Sequence, residues 1–361
     1  MKCVVVGAGL IGMLTARALR SAGAEVTLLD RERVGTESSW AGGGILSPLY
    51  PWKYPDAVNA LARWSQGAYR GLVDALIEET GQDAEWYNSG LLVLDEAEIE
   101  PGEAWARRNV VPYERVSGQA LSDLEPSLTW DGSALWMPSI AQVRNPKLVK
   151  ALYASLLLQG VKVVERTVVT QFIKTESRIL GVQTHAGAFY ADYVIVCAGA
   201  WASQLLRQVG GSEAIFPVRG QMLLYRVNPG DIRVIILEGG HYLIPRQDGH
   251  VLVGSSMEYA GFKKETTESM AQELAAFGAR VVPMLQTFPV IRHWAGLRPG
   301  TSSGIPLIGP VPGYEGVCVN LGHFRNGVVM APASARLLAD SVLGLPPSVA
   351  PEPYLMTARR Q

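Results

Sequence analysis

The first thirty residues carry a spacing that chemistry can use. Gly7, Gly9 and Gly12 form a Gly-x-Gly-x-x-Gly run, and Asp30 follows Gly12 by 18 positions. Such glycines turn the chain tightly off a strand, bring backbone against a pyrophosphate and pack a helix onto the strand. The helix start then offers free N–H groups and a partial positive charge to that pyrophosphate. A carboxylate at position 30 can accept from both ribose hydroxyls, and its charge would repel a 2′-phosphate, which argues against NADP. The elements needed to hold these groups surround them. Residues 3–6 read as a short buried strand, Ile11, Leu14, Ala18 and Leu19 recur at helical spacing, and residues 25–29 read as a second strand. A lone glycine run also occurs at other strand–helix turns. Strand, glycines, helix, strand and acid in register point to the ADP half of a dinucleotide.

Three later stretches extend the site. Residues 35–56 form a loop in which Ser38, Ser39 and the glycines at 42–44 are interleaved with apolar Trp40, Ile45, Leu46 and Leu49. Glycines beside hydroxyls let backbone lie flat against a ligand and donate N–H bonds. Residues 317–327, Val-Cys-Val-Asn-Leu-Gly-His-Phe-Arg-Asn-Gly, read as a strand and a turn, with a helix starting near Pro332. A helix N-terminus there would stabilise negative charge on a redox ring such as a flavin. Arg298, in Trp-Ala-Gly-Leu-Arg-Pro-Gly-Thr, and Arg325 both lie in apolar, glycine-framed segments. Guanidinium pairs with carboxylate as a fork, which suggests a small anionic substrate. Tyr242 offers a hydroxyl and Met257 an apolar wall. Two other patterns are set aside. The Gly-x-Ser-x-Gly at 300–304 precedes prolines where a nucleophile elbow needs a helix, and the five histidines lack metal-ligand spacing.

Composition bounds the class. The 361 residues suit about two domains, with 48% hydrophobic and 18% charged residues. A net charge of −1 without a basic block gives no nucleic-acid footprint. No apolar run is long enough for a membrane span, no signal peptide is expected, and the chain is read as cytoplasmic. Cys3, Cys197 and Cys318 lie far apart in apolar surroundings and read as buried thiols. Residues 57–80 read as an amphipathic helix with Leu61, Trp64, Ala68, Leu72 and Leu76 on one stripe. Residues 84–142 alternate in short segments and read as antiparallel sheet, 146–159 as helix, and 168–190 as a hairpin. After a further buried strand at 191–201, strands dominate 214–293, and a Pro-rich tail after 345 reads as surface. The expected fold is mixed α/β. A Rossmann-type dinucleotide domain (1–80, 143–213, 294–361) is interleaved with a mainly antiparallel substrate domain (81–142, 214–293), and the cleft between them is the default ligand site.

These residues resemble the FAD-dependent D-amino-acid oxidase family over essentially the whole chain. The similarity is strongest to its bacterial glycine oxidases of thiamine biosynthesis. It rests on VVVGAGLIG with Asp30-Arg31, ESSWAGGGIL, HYLIPR with VGSSM, WAGLRPGT, and above all GHFRNGVVMAP. The resemblance implies FAD at the domain interface. Leu10, Ile11, Asp30 and Arg31 would touch its ADP half, and Val169 its adenine. Ser38, Ser39, Gly43, Gly44 and Ile45 would follow the pyrophosphate and ring. His323, Phe324, Arg325, Asn326, Gly327, Val328 and Val329 would close over the pyrimidine side. Arg298 with Tyr242 would hold the substrate carboxylate, with Arg325 adjacent and Met257 lining a small pocket. No cysteine motif for covalent attachment is found, so the FAD is expected to be non-covalent. The implied reaction moves a hydride from Cα of glycine, sarcosine or a short D-amino acid to flavin N5, with no side chain required as acid or base. Oxygen then yields hydrogen peroxide, and the imine hydrolyses to glyoxylate and ammonia in the case of glycine. A homotetramer is implied as well. The alternative is a D-amino-acid dehydrogenase that passes electrons to a quinone.

Overall fold

The computed structural model describes residues 1–211 and 215–356. The first of two large sheets grows outward from Lys2–Val6, which pairs in parallel with Glu25–Leu29 on one side and Tyr193–Val196 on the other. Lys162–Val164 and Val317–Leu321 extend it in parallel, and Leu307–Pro310 closes one edge antiparallel. Both faces of the central strands are covered, so they read as continuous apolar runs rather than alternating ones. The helices Leu10–Ser21, Asp56–Thr80 and Gly327–Leu343 pack into one core on this sheet. The second large sheet has eight strands. Phe216–Arg226, His250–Gly254, His241–Pro245 and Ile235–Glu238 form its antiparallel half. Leu91–Val93 joins it in parallel, followed by Ala134–Met137 and Glu114–Val116. This is the expected mixed α/β architecture, with a Rossmann-type sheet and a mainly antiparallel one.

Several elements depart from the sequence reading. Residues 168–190 form a three-stranded sheet rather than a hairpin. The stretch 84–142 contains two helices, Glu96–Asn109 and Gly118–Leu124. Acids in the first turn of Glu96–Asn109 suit a helix N-terminus, and Pro101 sits inside the helix. The segment 294–300, expected with the dinucleotide unit, belongs to Arg292–Gly300, which pairs with Phe216–Arg226 in the second sheet. The junction expected at 213 and the tail beyond 356 lie outside the described residues.

The long helix Asp56–Thr80 ends, as its sequence suggests, on Gly81 in the left-handed region at φ +69°. Of the expected stripe, Leu61 and Leu76 are fully buried and Ala68 and Leu72 half-buried, but Trp64 is 36% exposed, while Ser65 and Tyr69 are fully buried. The reason lies in the last helix. Pro332 falls inside Gly327–Leu343 rather than at its start. Proline has no N–H for the carbonyl four residues back, which here belongs to Val328. The Tyr69 hydroxyl donates to that carbonyl, and Ser65 Oγ accepts from Ala333 N at 2.9 Å. Two polar side chains on the long helix thus repair the break that Pro332 makes, and they bring the N-terminus of the last helix to a fixed place. Tyr69→Phe strands the Val328 carbonyl and is expected to cost about 1–3 kcal/mol, read as a thermal midpoint several degrees lower. An unchanged midpoint would show that this hydroxyl does not carry the repair.

Candidate active site

The glycine run works by close approach. Gly7 has φ +109°, and a Cβ there would lie 2.3 Å from the Cys197 carbonyl oxygen. A Cβ on Gly12 would lie 1.8 Å from the Gly7 carbonyl oxygen, so the helix Leu10–Ser21 can sit against the strand only with glycine at that position. Asp30, at the end of the second strand, accepts from Ala8 N at 2.6 Å and from Glu32 N at 2.8 Å. Burial raises its carboxyl pKa, opposed by those two N–H donors. At the helix start, Leu10 N donates to Ser39 Oγ at 2.8 Å. The glycine loop is held from behind. Arg246 donates to the Gly43 carbonyl at 2.6 Å and to that of Val143 at 3.0 Å, and Asn145 Nδ2 donates to the Ser39 carbonyl at 3.0 Å.

Two cavities meet at Gly9, Ser38 and Ser39. The smaller, about 830 Å³ of empty space, is walled by Gly7, Asp30, Arg31, Val169 and Trp201. The larger, about 1170 Å³ including its open mouth, is walled by Leu10, Ile11, Gly43, Gly44 and Ile45 on the side of the first sheet. Tyr242 and Arg298 face it from the second sheet, and His323, Phe324, Arg325, Gly327 and Val328 line the rim before the last helix. Four expected residues do not join these walls, among them Gly12, which packs the helix against the Gly7 carbonyl. Met257 is 50% exposed and outside both cavities, because Ser255 and Ser256 before it turn inward. Asn326 and Val329 are buried beside the rim, Val329 in the core of the first sheet. Met222, not singled out in the sequence, supplies apolar wall instead, together with Leu49 of the glycine loop.

Arg298 lies in space that only glycine leaves free: a Cβ on Gly220 would come within 2.2 Å of its Nη1. The guanidinium donates to the Ser256 carbonyl at 3.0 Å and to Ser255 Oγ at 2.7 Å, both neutral. Burial lowers its pKa, with Tyr242 opposing and the Arg325 charge adding to the effect. Arg325 donates to the Gly240 carbonyl at 3.0 Å. Among the described residues no carboxylate lines the larger cavity, so Arg298 and Arg325 face it without a counter-ion from them. His323 is buried, its Nε2 has no partner among the described residues, and burial lowers its pKa to about 3. It is neutral at physiological pH. Among the described residues, no group of three or more His, Cys, Asp or Glu is placed to hold a metal, and no helix is long and apolar enough to cross a membrane.

The paired cavities fit a flavin dinucleotide. One end carries an acid, the junction carries a helix N-terminus with hydroxyls, and the other end carries an unpartnered imidazole nitrogen and a second helix N-terminus. The missed contributors are Arg246 and Asn145. Arg246 was visible as the arginine closing HYLIPR, but its reach to Gly43 depends on the second sheet.

Two outcomes follow from this geometry. Gly7→Ala should purify with less than about a tenth of the wild-type flavin, read from absorbance near 450 nm against 280 nm, because its Cβ has no room; full flavin content would contradict the cradle. For His323, the folded pKa lies below the unfolded one. The unfolded chain binds a proton below about 6.5 that the folded chain refuses until about 3, so stability falls as pH drops through that window. His323→Gln should flatten the loss by about 1.4 kcal/mol per pH unit there. Parallel stability curves for the two proteins would contradict the burial of a neutral imidazole.

The chain is 44% identical over 360 residues to a glycine oxidase of Pseudomonas aeruginosa, covering 99% of each. It is 46% identical over 358 residues to a glycine oxidase of Pseudomonas putida, covering 99% of this chain and 98% of that one. A crystal structure of glycine oxidase from Geobacillus kaustophilus superposes with a TM-score of 0.94 at 26% identity, covering 99% of each chain. Residues 2–341 match the family described as DAO, FAD dependent oxidoreductase. The chain belongs to that family, and FAD is its cofactor.

Proposed function

We propose that this chain is a glycine oxidase that deaminates glycine and other small amines, including sarcosine and short D-amino acids. The observation that carries the reading is Arg298. Its fork faces the larger cavity, every acceptor it donates to is neutral, and Gly220 clears the space it occupies. Such a group is suited to a substrate carboxylate, with Tyr242 beside it and Arg325 reinforcing the positive field. The relatives named glycine oxidase, similar over nearly the whole chain, support the same substrate class.

FAD held between Asp30, Ser39 and the rim at residues 323–328 would supply the two-electron chemistry, as acceptor of the hydride from the substrate Cα and as reductant of oxygen to hydrogen peroxide. The chain's own contribution is positional. Arg298 fixes the carboxylate, which sets the direction of the Cα–H bond. The N-terminus of Gly327–Leu343 places partial positive charge at the cavity rim, where negative charge develops. His323, held neutral by burial, does not serve as a proton carrier near pH 7. The amine reacts in its neutral form, whose lone pair drives hydride departure, and the imino acid leaves to be hydrolysed to glyoxylate and ammonia. The FAD is taken as dissociable: Cys197, on both cavity walls, has its thiol pushed up to about 12 by burial and is a poor nucleophile. A role in thiamine biosynthesis and a homotetrameric assembly belong to the same proposal.

Oxygen uptake with glycine tests it. Arg298→Lys keeps the charge but loses the fork, and should raise KM for glycine by about 30- to 150-fold, about 2–3 kcal/mol, with a smaller change in kcat. The wild-type kcat/KM should rise with pH along the ionisation of the substrate amine. An unchanged KM would remove Arg298 from the carboxylate site. Glycine-dependent quinone reduction without oxygen uptake would move the assignment to a dehydrogenase.

A further inference from the structure

One segment touches both halves of the molecule and plays no part in the reaction proposed above. After His250–Gly254 the chain runs through 257–267 before entering the helix Glu268–Val281. Its base is fixed to the second sheet. Glu258 exchanges main-chain hydrogen bonds of 2.8 and 2.9 Å with Arg219, and its carboxylate accepts from Arg219, Gln221 and Ser256. Farther along, the segment crosses to the first sheet's cavity. The Phe262 ring lies 5.7 Å from the Trp201 ring, and Lys264 Nζ lies 2.9 and 3.0 Å from the two carboxylate oxygens of Glu37. Trp201 and Glu37 are walls of the smaller cavity, the one that ends on Asp30. Neither wall residue belongs to a strand, so no sheet hydrogen bonds fix their positions.

The charges give this contact a purpose. Glu37 stands next to Ser38 and Ser39, at the junction where the pyrophosphate lies, and its charge is near enough to Asp30 to raise that carboxyl's pKa. An uncompensated carboxylate there would oppose a diphosphate. Lys264 is the cation that neutralises it, and it reaches Glu37 from the other half of the chain. Phe262 is 54% exposed yet lies on Trp201, whose ring also carries the Arg31 guanidinium at 4.7 Å.

We propose that residues 257–267 are a strap that retains the ADP end of FAD. Phe262 and Lys264 are positioning residues that act through Trp201 and Glu37. The test is the rate of FAD release after dilution of the holoenzyme, followed by the recovery of FAD fluorescence. Phe262→Ala should release FAD roughly tenfold faster, the scale of a lost aromatic pair. Lys264→Ala should release it about fivefold faster at low salt, with the gap to wild type closing near 1 M NaCl. Glu37→Gln added to Lys264→Ala should return the rate to within twofold of wild type, a rescue that a purely structural contact would not give. Release within twofold of wild type for both single variants would overturn the strap, as would a double variant no slower than Lys264→Ala. Should Phe262→Ala fail to fold, the exchange at the partly exposed Lys264–Glu37 pair decides the matter alone.

Discussion

The site depends on how closely backbone can approach backbone between Gly7 and Gly12. The helix Leu10–Ser21 reaches the pyrophosphate position only because its third residue has no Cβ to meet the Gly7 carbonyl, and Gly7 none to meet Cys197. That contact ties the helix to Lys2–Val6 on one side and to the end of Tyr193–Val196 on the other. Asp30 then fastens the turn by accepting from Ala8 N. A dinucleotide can occupy this end because the protein has drawn its own chain in to van der Waals distance at a helix N-terminus.

The substrate end follows the same logic across a different boundary. Phe216–Arg226 and Arg292–Gly300 lie side by side, and Gly220 faces Arg298 so that the guanidinium fills the place of a side chain. The cost of burying that cation is met by neutral acceptors, Ser255 and the Ser256 carbonyl, which leave its charge unspent for a ligand. Arg246, also buried, ties the second sheet to the glycine loop through Gly43. Cofactor and substrate surfaces are thus set by a few contacts between the two sheets, in keeping with a ligand site at a junction.

Much of this was legible in the sequence because the relevant signals are local. Gly7, Gly9, Gly12 and Asp30 lie within one strand–helix–strand unit, and Arg298 and Arg325 are framed by glycines within a few residues. Met257 was misplaced because it follows a strand in irregular chain, where neither a period of 2 nor one of 3.6 fixes the direction of a side chain. Pro332 misled for a related reason. Its preference for the first helical turn is real, but Tyr69 and Ser65 relieve the break from a helix more than 250 residues earlier. Apolar spacing correctly turns Leu61 and Leu76 inward, but it also turns Trp64 inward, whereas the buried face is rotated toward those two hydroxyls. Arg246 and Lys264 act on Gly43 and Glu37 through long-range contacts that no single stretch contains.

The central claim is that a carboxylate held by Arg298 presents its Cα–H to bound FAD. The visible spectrum of the purified protein under anaerobic glycine addresses it most directly. The account predicts flavin bands that bleach on adding glycine and return on admitting air, with one peroxide formed for each glycine consumed. Flavin bands unmoved by glycine, sarcosine or small D-amino acids would contradict it, leaving the fold and the cofactor site without the proposed reaction.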